Sequence, residues 1–327
     1  MKQFNATDLL EKGKDTGYPS DYLLSRIRGR KARLIQDWRP FVTSPAPLER
    51  LPEGHYQRIS GNKSPEGVWR ALLFEYRWVY YQMNRRLRNI FGPFFLYAEL
   101  RTLFICLRSL KEMKRARVRE MLSASLLSEE FRKILSDSAD EFAAVQAIEA
   151  KLRRLSGQFS GITEILKQKG LSVFEHELTK RYLSVIVGAG LDPVLKAFFM
   201  RLIDARNTLA LAKLLKMETP AEHSFVPEGT IDAARLEEIL DSRSGPDTER
   251  LLKEMTGEEI SSADNVKLEA SLYQGITRSL KKEGRSALSI GPILEYLWRC
   301  SIEAMNLSVI CYAQGLEREL VAAELVQ

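Results

Sequence analysis

Apolar residues recur along most of the chain at three- and four-residue intervals, the period of helices with buried faces, and alternating strand-like stretches are almost absent. The pattern predicts an all-α fold. The segment RLIDARNTLALAKLLK (201–216) shows how these helices are built. At about 100° per residue, Leu195, Phe198, Phe199 and Leu202 form one apolar stripe, and Asp204, Asn207, Leu211 and Leu214 form a second on roughly the opposite side. The helix is expected to pack on two faces, with its carboxylate and amide inside an apolar seam. An unpaired charge there costs several kcal/mol, so Asp204 is expected to find a partner on another helix. Lys213, nine residues on, lies about half a turn away and cannot be that partner along one helix.

The same device occurs three times. GPFF (92–95), DPVL (192–195) and GPIL (291–294) each place proline where a helix is expected to begin, with Asp192 able to cap and Gly92 and Gly291 as permissive alternatives. Each helix then carries an acid and, three residues later, a small polar residue: Glu99 and Thr102, Asp204 and Asn207, Glu303 and Asn306. Nine residues after the acid stands a long polar side chain, Arg108, Lys213 or Tyr312. Upstream, an apolar residue precedes a glutamate at Phe74-Glu75, Phe174-Glu175 and Leu268-Glu269, with Tyr80, Tyr182 and Tyr273 following. The upstream glutamates are 100 and 94 residues apart and the later acids 105 and 99. Two independent markers thus agree on a period of about a hundred residues, which predicts three helical repeats over 1–112, 113–217 and 218–327. The proline- and glycine-rich stretch 40–67 is expected to be a loop, VGAGLD (187–192) a helix-to-helix turn, and KRARVR (114–119) a continuation of the first marker helix.

Composition narrows the function classes. Hydrophobic residues make up 45% and charged residues 28%, which suits a soluble globular chain. No uninterrupted apolar run approaches a membrane span, and MKQFNATDLLEKGKD has no apolar core of a signal peptide. Cys106, Cys300 and Cys311 are odd in number and set among apolar neighbours, the pattern of reduced core thiols and not of a disulfide or zinc framework. The net charge of +6 is uneven: residues 1–120 hold 24 Lys+Arg against 12 Asp+Glu, the remainder 25 against 31. A basic front half, with Arg26, Arg28, Arg30 and Lys31 in RIRGRK as candidate contacts, suits an acidic partner surface.

Signatures of chemistry are missing. There is no Gly-Lys-Ser/Thr phosphate loop, no His-Glu-x-x-His or Glu-x-x-His pair among His55, His176 and His223, and no Gly-x-Ser-x-Gly elbow. His176 is expected on a helix surface. No catalytic residue, metal ligand or cofactor is assigned.

With these motifs in order, the chain resembles the C subunit of the archaeal and bacterial A/V-type rotary ATPases, the equivalent of the d subunit of the vacuolar proton pump. Tyr22, Arg26 and Arg28 of DYLLSRIRGRKARLI match the family's opening helix, with Ser25 in place of alanine. Asp204 with Asn207, and Glu303 with Asn306 and Leu307, match its acid-x-x-Asn-Leu motif. In the first repeat Glu99, Leu103 and Arg108 fit while Thr102 replaces asparagine. Pro227, Gly229 and Asp232 of SFVPEGTID match the turn after the second motif, and Tyr312 stands where a basic residue is usual. The resemblance implies an all-helical, pseudo-threefold, funnel-like monomer within a larger complex, peripheral to the cytoplasmic face of the membrane. Its implied partners are the axle subunits of the central stalk and the membrane proteolipid ring, with no nucleic acid and no membrane span of its own. It implies a non-catalytic rotor part for ion transport, proton transport or ATP synthesis, without cofactors. Two readings compete: a basic helical nucleic-acid-binding protein, resting on the first 120 residues, and a helical enzyme using Glu75, Glu175 or Glu269 as acid or base.

Overall fold

The structure is a computed structural model that describes residues 5–15, 18–44, 64–217, 225–260, 264–286, 289–313 and 316–326. Among them the protein is all-α, with no strand beyond one isolated bridge between Leu10 and Leu127. In chain order the helices are α1 (Ser20–Lys31), α2 (Arg39–Val42), α3 (Pro65–Gln82), α4 (Arg85–Lys111), α5 (Arg115–Ala124), α6 (Glu129–Asp137) and α7 (Glu141–Leu155). They continue as α8 (Ile162–Val187), α9 (Pro193–Leu214), α10 (Ala233–Ser242), α11 (Gly245–Thr256), α12 (Asn265–Glu283), α13 (Gly291–Tyr312) and α14 (Arg318–Glu324).

Local chemistry sets the boundaries. Side-chain oxygens of Asn84, Asp140 and Asp232 accept backbone N–H groups of the first turns of α4, α7 and α10, satisfying donors that a helix start leaves unpaired. Asp192 does the same for Val194 at 3.0 Å, so DPVL opens α9 as expected. In VGAGLD, Gly190 supplies the left-handed turn between α8 and α9 with φ +73°.

Other expectations are corrected. GPFF does not start a helix: the Asn84 cap begins α4 seven residues earlier than Gly92, and Pro93 lies inside it. GPIL does open α13 with Pro292 in the first turn, but Gly291 is its first residue and not its cap, which is Ile290; Ser289 Oγ accepts the Gly291 N–H at 3.1 Å. KRARVR does not continue α4, which stops at Lys111; Met113 turns left-handed at φ +57° and α5 starts afresh. The stretch 40–67 is helical at both ends, where Pro40 sits in the first turn of α2 and Pro65 opens α3; its residues 45–63 lie outside the described ones, as do His55 and His223. The apolar run of α4 is broken by Glu99 and Arg101, so no uninterrupted run of span length occurs there. By length and composition α4 could cross a membrane, because a span tolerates the few charges that interrupt its apolar run; 67% of its apolar window is buried within the protein.

The chain divides into two compact units. The first combines residues 1–23 with 73–195. Its core gathers Tyr76, Tyr80, Phe91, Phe95, Phe159 and Phe174, with Tyr80 and Phe95 edge to face at 5.3 Å. The second combines residues 24–72 with 196–327. Leu211, Phe225, Leu236, Ile239 and Leu251 form one cluster there, and Phe41, Ile310, Val321 and Leu325 another. Cys106 and Cys300 are buried and Cys311 is half-buried.

Candidate functional site

The acids and their neighbours three residues on lie on one face of their helices because that spacing is close to a full turn. In α9 Asp204 is 1% exposed and Asn207 2%, and Leu195, Phe198, Phe199, Leu202 and Leu211 are buried, so the helix does pack on two faces. Asn207 grips a single residue by both backbone groups: Nδ2 donates to the carbonyl of Val226 at 2.8 Å, and the Val226 N–H donates to Oδ1 at 2.9 Å. Asp204 Oδ1 accepts the N–H groups of Thr230 and Ile231 at 2.8 and 3.1 Å, and Oδ2 accepts the Thr230 hydroxyl. The partner of Asp204 is therefore the loop before α10 and not another helix. A carboxylate in a seam is satisfied by convergent N–H donors as well as by a cation. That approach explains Gly229, where a Cβ would fall 2.3 Å from Asp204 Oδ1. Burial raises the Asp204 pKa, and the bonds from Thr230 and Ile231 oppose the shift.

In α13 Asn306 repeats the two-sided grip on Val326, with bonds of 2.8 and 3.1 Å. Glu303 Oε2 accepts the N–H of Ile35 at 2.6 Å, in the segment between α1 and α2. In α4 Glu99 accepts the Leu126 N–H at 2.5 Å and the Ser125 hydroxyl at 2.8 Å. Thr102 also bonds to Glu99 and is too short for the amide's double grip. Backbone supplies that pairing instead: the Glu11 N–H donates to the Leu126 carbonyl at 2.8 Å and the Ser128 N–H to the Leu9 carbonyl at 2.9 Å. Burial pushes the Glu99 pKa up to about 7 against the bonds from Leu126, Ser125 and Thr102, with a smaller upward push from Glu11.

The remaining predicted residues are placed less uniformly. Arg108 forms a two-pronged pair with Glu175 of α8, Nε to Oε1 at 2.8 Å and Nη2 to Oε2. Glu75 is buried in α3, while Lys213 of α9 and Glu269 of α12 are exposed. Tyr312 ends α13 with 72% of its surface exposed. His176 lies on the exposed side of α8. Of the basic run, Arg26 and Arg28 are exposed and Arg30 half-buried, but Lys31 donates to both oxygens of buried Glu295 at 2.6 Å. The sequence pattern does not single out Glu295, nor Glu11, a buried carboxylate that receives Arg77 at 3.2 Å, Arg132 at 2.7 Å and the Tyr81 hydroxyl. Neither belongs to the hundred-residue pattern. Among the described residues no three His, Cys, Asp or Glu side chains are grouped to hold a metal ion.

The three marker acids Glu99, Asp204 and Glu303 therefore each hold backbone of a distant segment. The chain's family follows from comparison: a family model described as ATP synthase (C/AC39) subunit matches residues 58–324. The chain belongs to that family. No curated protein matches it. The C/AC39 match takes in α4, α9 and α13 with their three acids, and it bears out the resemblance to the C subunit of the A-type synthases and V-type ATPases. The nucleic-acid reading gains nothing from it. Tyr22, Arg26, Arg28 and Ile35 precede the matched range.

Proposed function

We propose that this C/AC39 protein is the non-catalytic central-stalk part that couples the rotating axle of the ATP-hydrolysing head to the membrane proteolipid ring, for ion transport or ATP synthesis. In this reading it sits on the cytoplasmic face without a span of its own, its three repeats (1–112, 113–217, 218–327) surround a pseudo-threefold axis, and its basic first helix meets the axle. The observation that carries the reading is the pairing of family membership with acids that hold backbone: Glu99, Asp204 and Glu303 each fix a chain segment by hydrogen bonds. Such contacts have one geometry and resist sliding, which suits a part loaded by torque.

Reconstituted vesicles test this. With the protein present, ATP hydrolysis and ion transport are expected to run together. Without it, the head is expected to keep hydrolysing ATP while transport stops, and the isolated chain to hydrolyse none. Normal transport in its absence defeats the proposal.

A further inference from the structure

In the second unit a cavity of about 240 Å³ opens between α12, α13 and the segment joining α1 to α2, with the Trp38 ring on one wall. At roughly 30 Å³ per water it has room for about eight, more than structural hydration of a few polar atoms needs. Gln274, Arg278 and Lys281 reach it from one face of α12, since their spacing returns to the same side of the helix, and Arg299 reaches it from α13.

The charges around this cavity are not balanced. Of its two acids, Glu295 is offset by Lys31, which donates to both its oxygens at 2.6 Å, while Glu303 accepts the neutral Ile35 N–H at 2.6 Å, which offsets none of a carboxylate's charge. The three cations form no ion pair among the described residues. Arg299 donates to the Gln36 side-chain oxygen at 3.1 Å and Arg278 to the Thr256 carbonyl at 2.9 Å, both neutral acceptors that leave the positive charge in place. Gln274 Oε1 is buried without a hydrogen-bond partner, an acceptor that a ligand hydroxyl or the flipped amide would satisfy. Against Glu303 the three cations leave a surplus of two positive charges, which a dianion would balance, and two guanidinium forks match the oxygens of a phosphate.

We propose that the Arg278–Lys281–Arg299 cavity binds a phosphate monoester dianion, with Trp38 against the apolar part of its ester. A soluble phosphate ester and a lipid headgroup both offer that dianion, and the test separates the two. Calorimetry on the full chain uses inorganic phosphate and glycerol 3-phosphate; co-sedimentation uses vesicles of phosphatidate and of phosphatidylcholine. Saturable binding of both soluble probes is expected, with affinity reduced at least tenfold by Arg299→Gln and by Lys281→Gln. The exposed Lys281→Gln keeps the test valid if Arg299→Gln unfolds, and Arg153→Gln, in the other unit, is the charge-matched control and is expected to bind as the parent does. Phosphatidate binding that Lys281→Gln abolishes assigns the headgroup, whereas soluble binding without vesicle binding assigns a free ester. No saturable binding of either soluble probe, or equal affinity in Lys281→Gln and the parent chain, overturns the proposal.

Discussion

The acid–amide pairs of α9 and α13 close very different lengths of chain. On α9 both members act locally, Asn207 on a residue 19 positions downstream and Asp204 on residues 26 and 27 downstream. On α13 Asn306 also acts locally, 20 positions downstream, but Glu303 holds Ile35, 268 positions away. Closing a loop ten times longer costs about 2 kcal/mol more in chain entropy. The α9 contacts close short loops, whereas the Glu303 contact joins α13 to the segment after α1 across most of the chain. One motif serves as a local loop clasp in the middle of the chain and as the closure of the second unit at its end.

The largest effects should come from the amides. Asn207→Ala and Asn306→Ala each leave the N–H and carbonyl of a buried valine without a partner, so each should cost about 2–4 kcal/mol in urea unfolding. Similar losses are expected because the two grips are the same; a large loss at one site and none at the other would break the comparison.

Next comes Glu99, whose folded pKa of about 7 lies above its ordinary value of 4.5 because of burial. Between those pH values the folded chain binds more protons than the unfolded one, so stability falls as pH rises through the window. Raising the pH from 5 to 8 should remove on the order of 2–3 kcal/mol through this group. Glu99→Gln should flatten that part of the profile, as read from urea midpoints across pH; an unchanged slope would mean that Glu99 is not the titrating group.

Asp204→Ala should cost roughly 1–3 kcal/mol, since it strips three bonds from the loop at 230–231. Asp204→Asn should cost less because its oxygen keeps part of the bonding, and equal midpoints for both variants and the parent chain would show the seam to be solvated. The smallest effect belongs to Arg108→Ala. Its guanidinium is mostly exposed and its pair with Glu175 should contribute no more than about 1 kcal/mol, a loss that added salt should mask.

Much of this was legible from side-chain period. The all-α class, the two buried faces of α9 and the VGAGLD turn depend on local pattern, which the sequence displays directly. Helix starts were less legible: Pro93 looked like a first-turn residue, but the Asn84 cap and the apolar run through Phe91 extend α4 upstream past it. Partners were the least legible. Spacing shows that Asp204 and Glu303 share faces with Asn207 and Asn306, yet nothing local marks the backbone of Thr230 or Ile35 as what they hold. The Lys31–Glu295 pair and the Arg77 and Arg132 contacts to Glu11 are invisible for the same reason, since they join residues 264, 66 and 121 positions apart.

The central claim is that these buried acids hold chain segments in place, and Glu303 offers its most direct test because the Ile35 N–H it accepts lies 268 positions away in sequence. Native-state hydrogen exchange should be measured at the Ile35, Val226 and Val326 amides in the parent chain and in Glu303→Ala. All three amides should be protected in the parent. In the variant Ile35 should exchange much faster while Val226, held by Asn207, keeps its protection relative to global unfolding. Ile35 protection that is already absent in the parent chain, or that survives Glu303→Ala unchanged, would contradict the account.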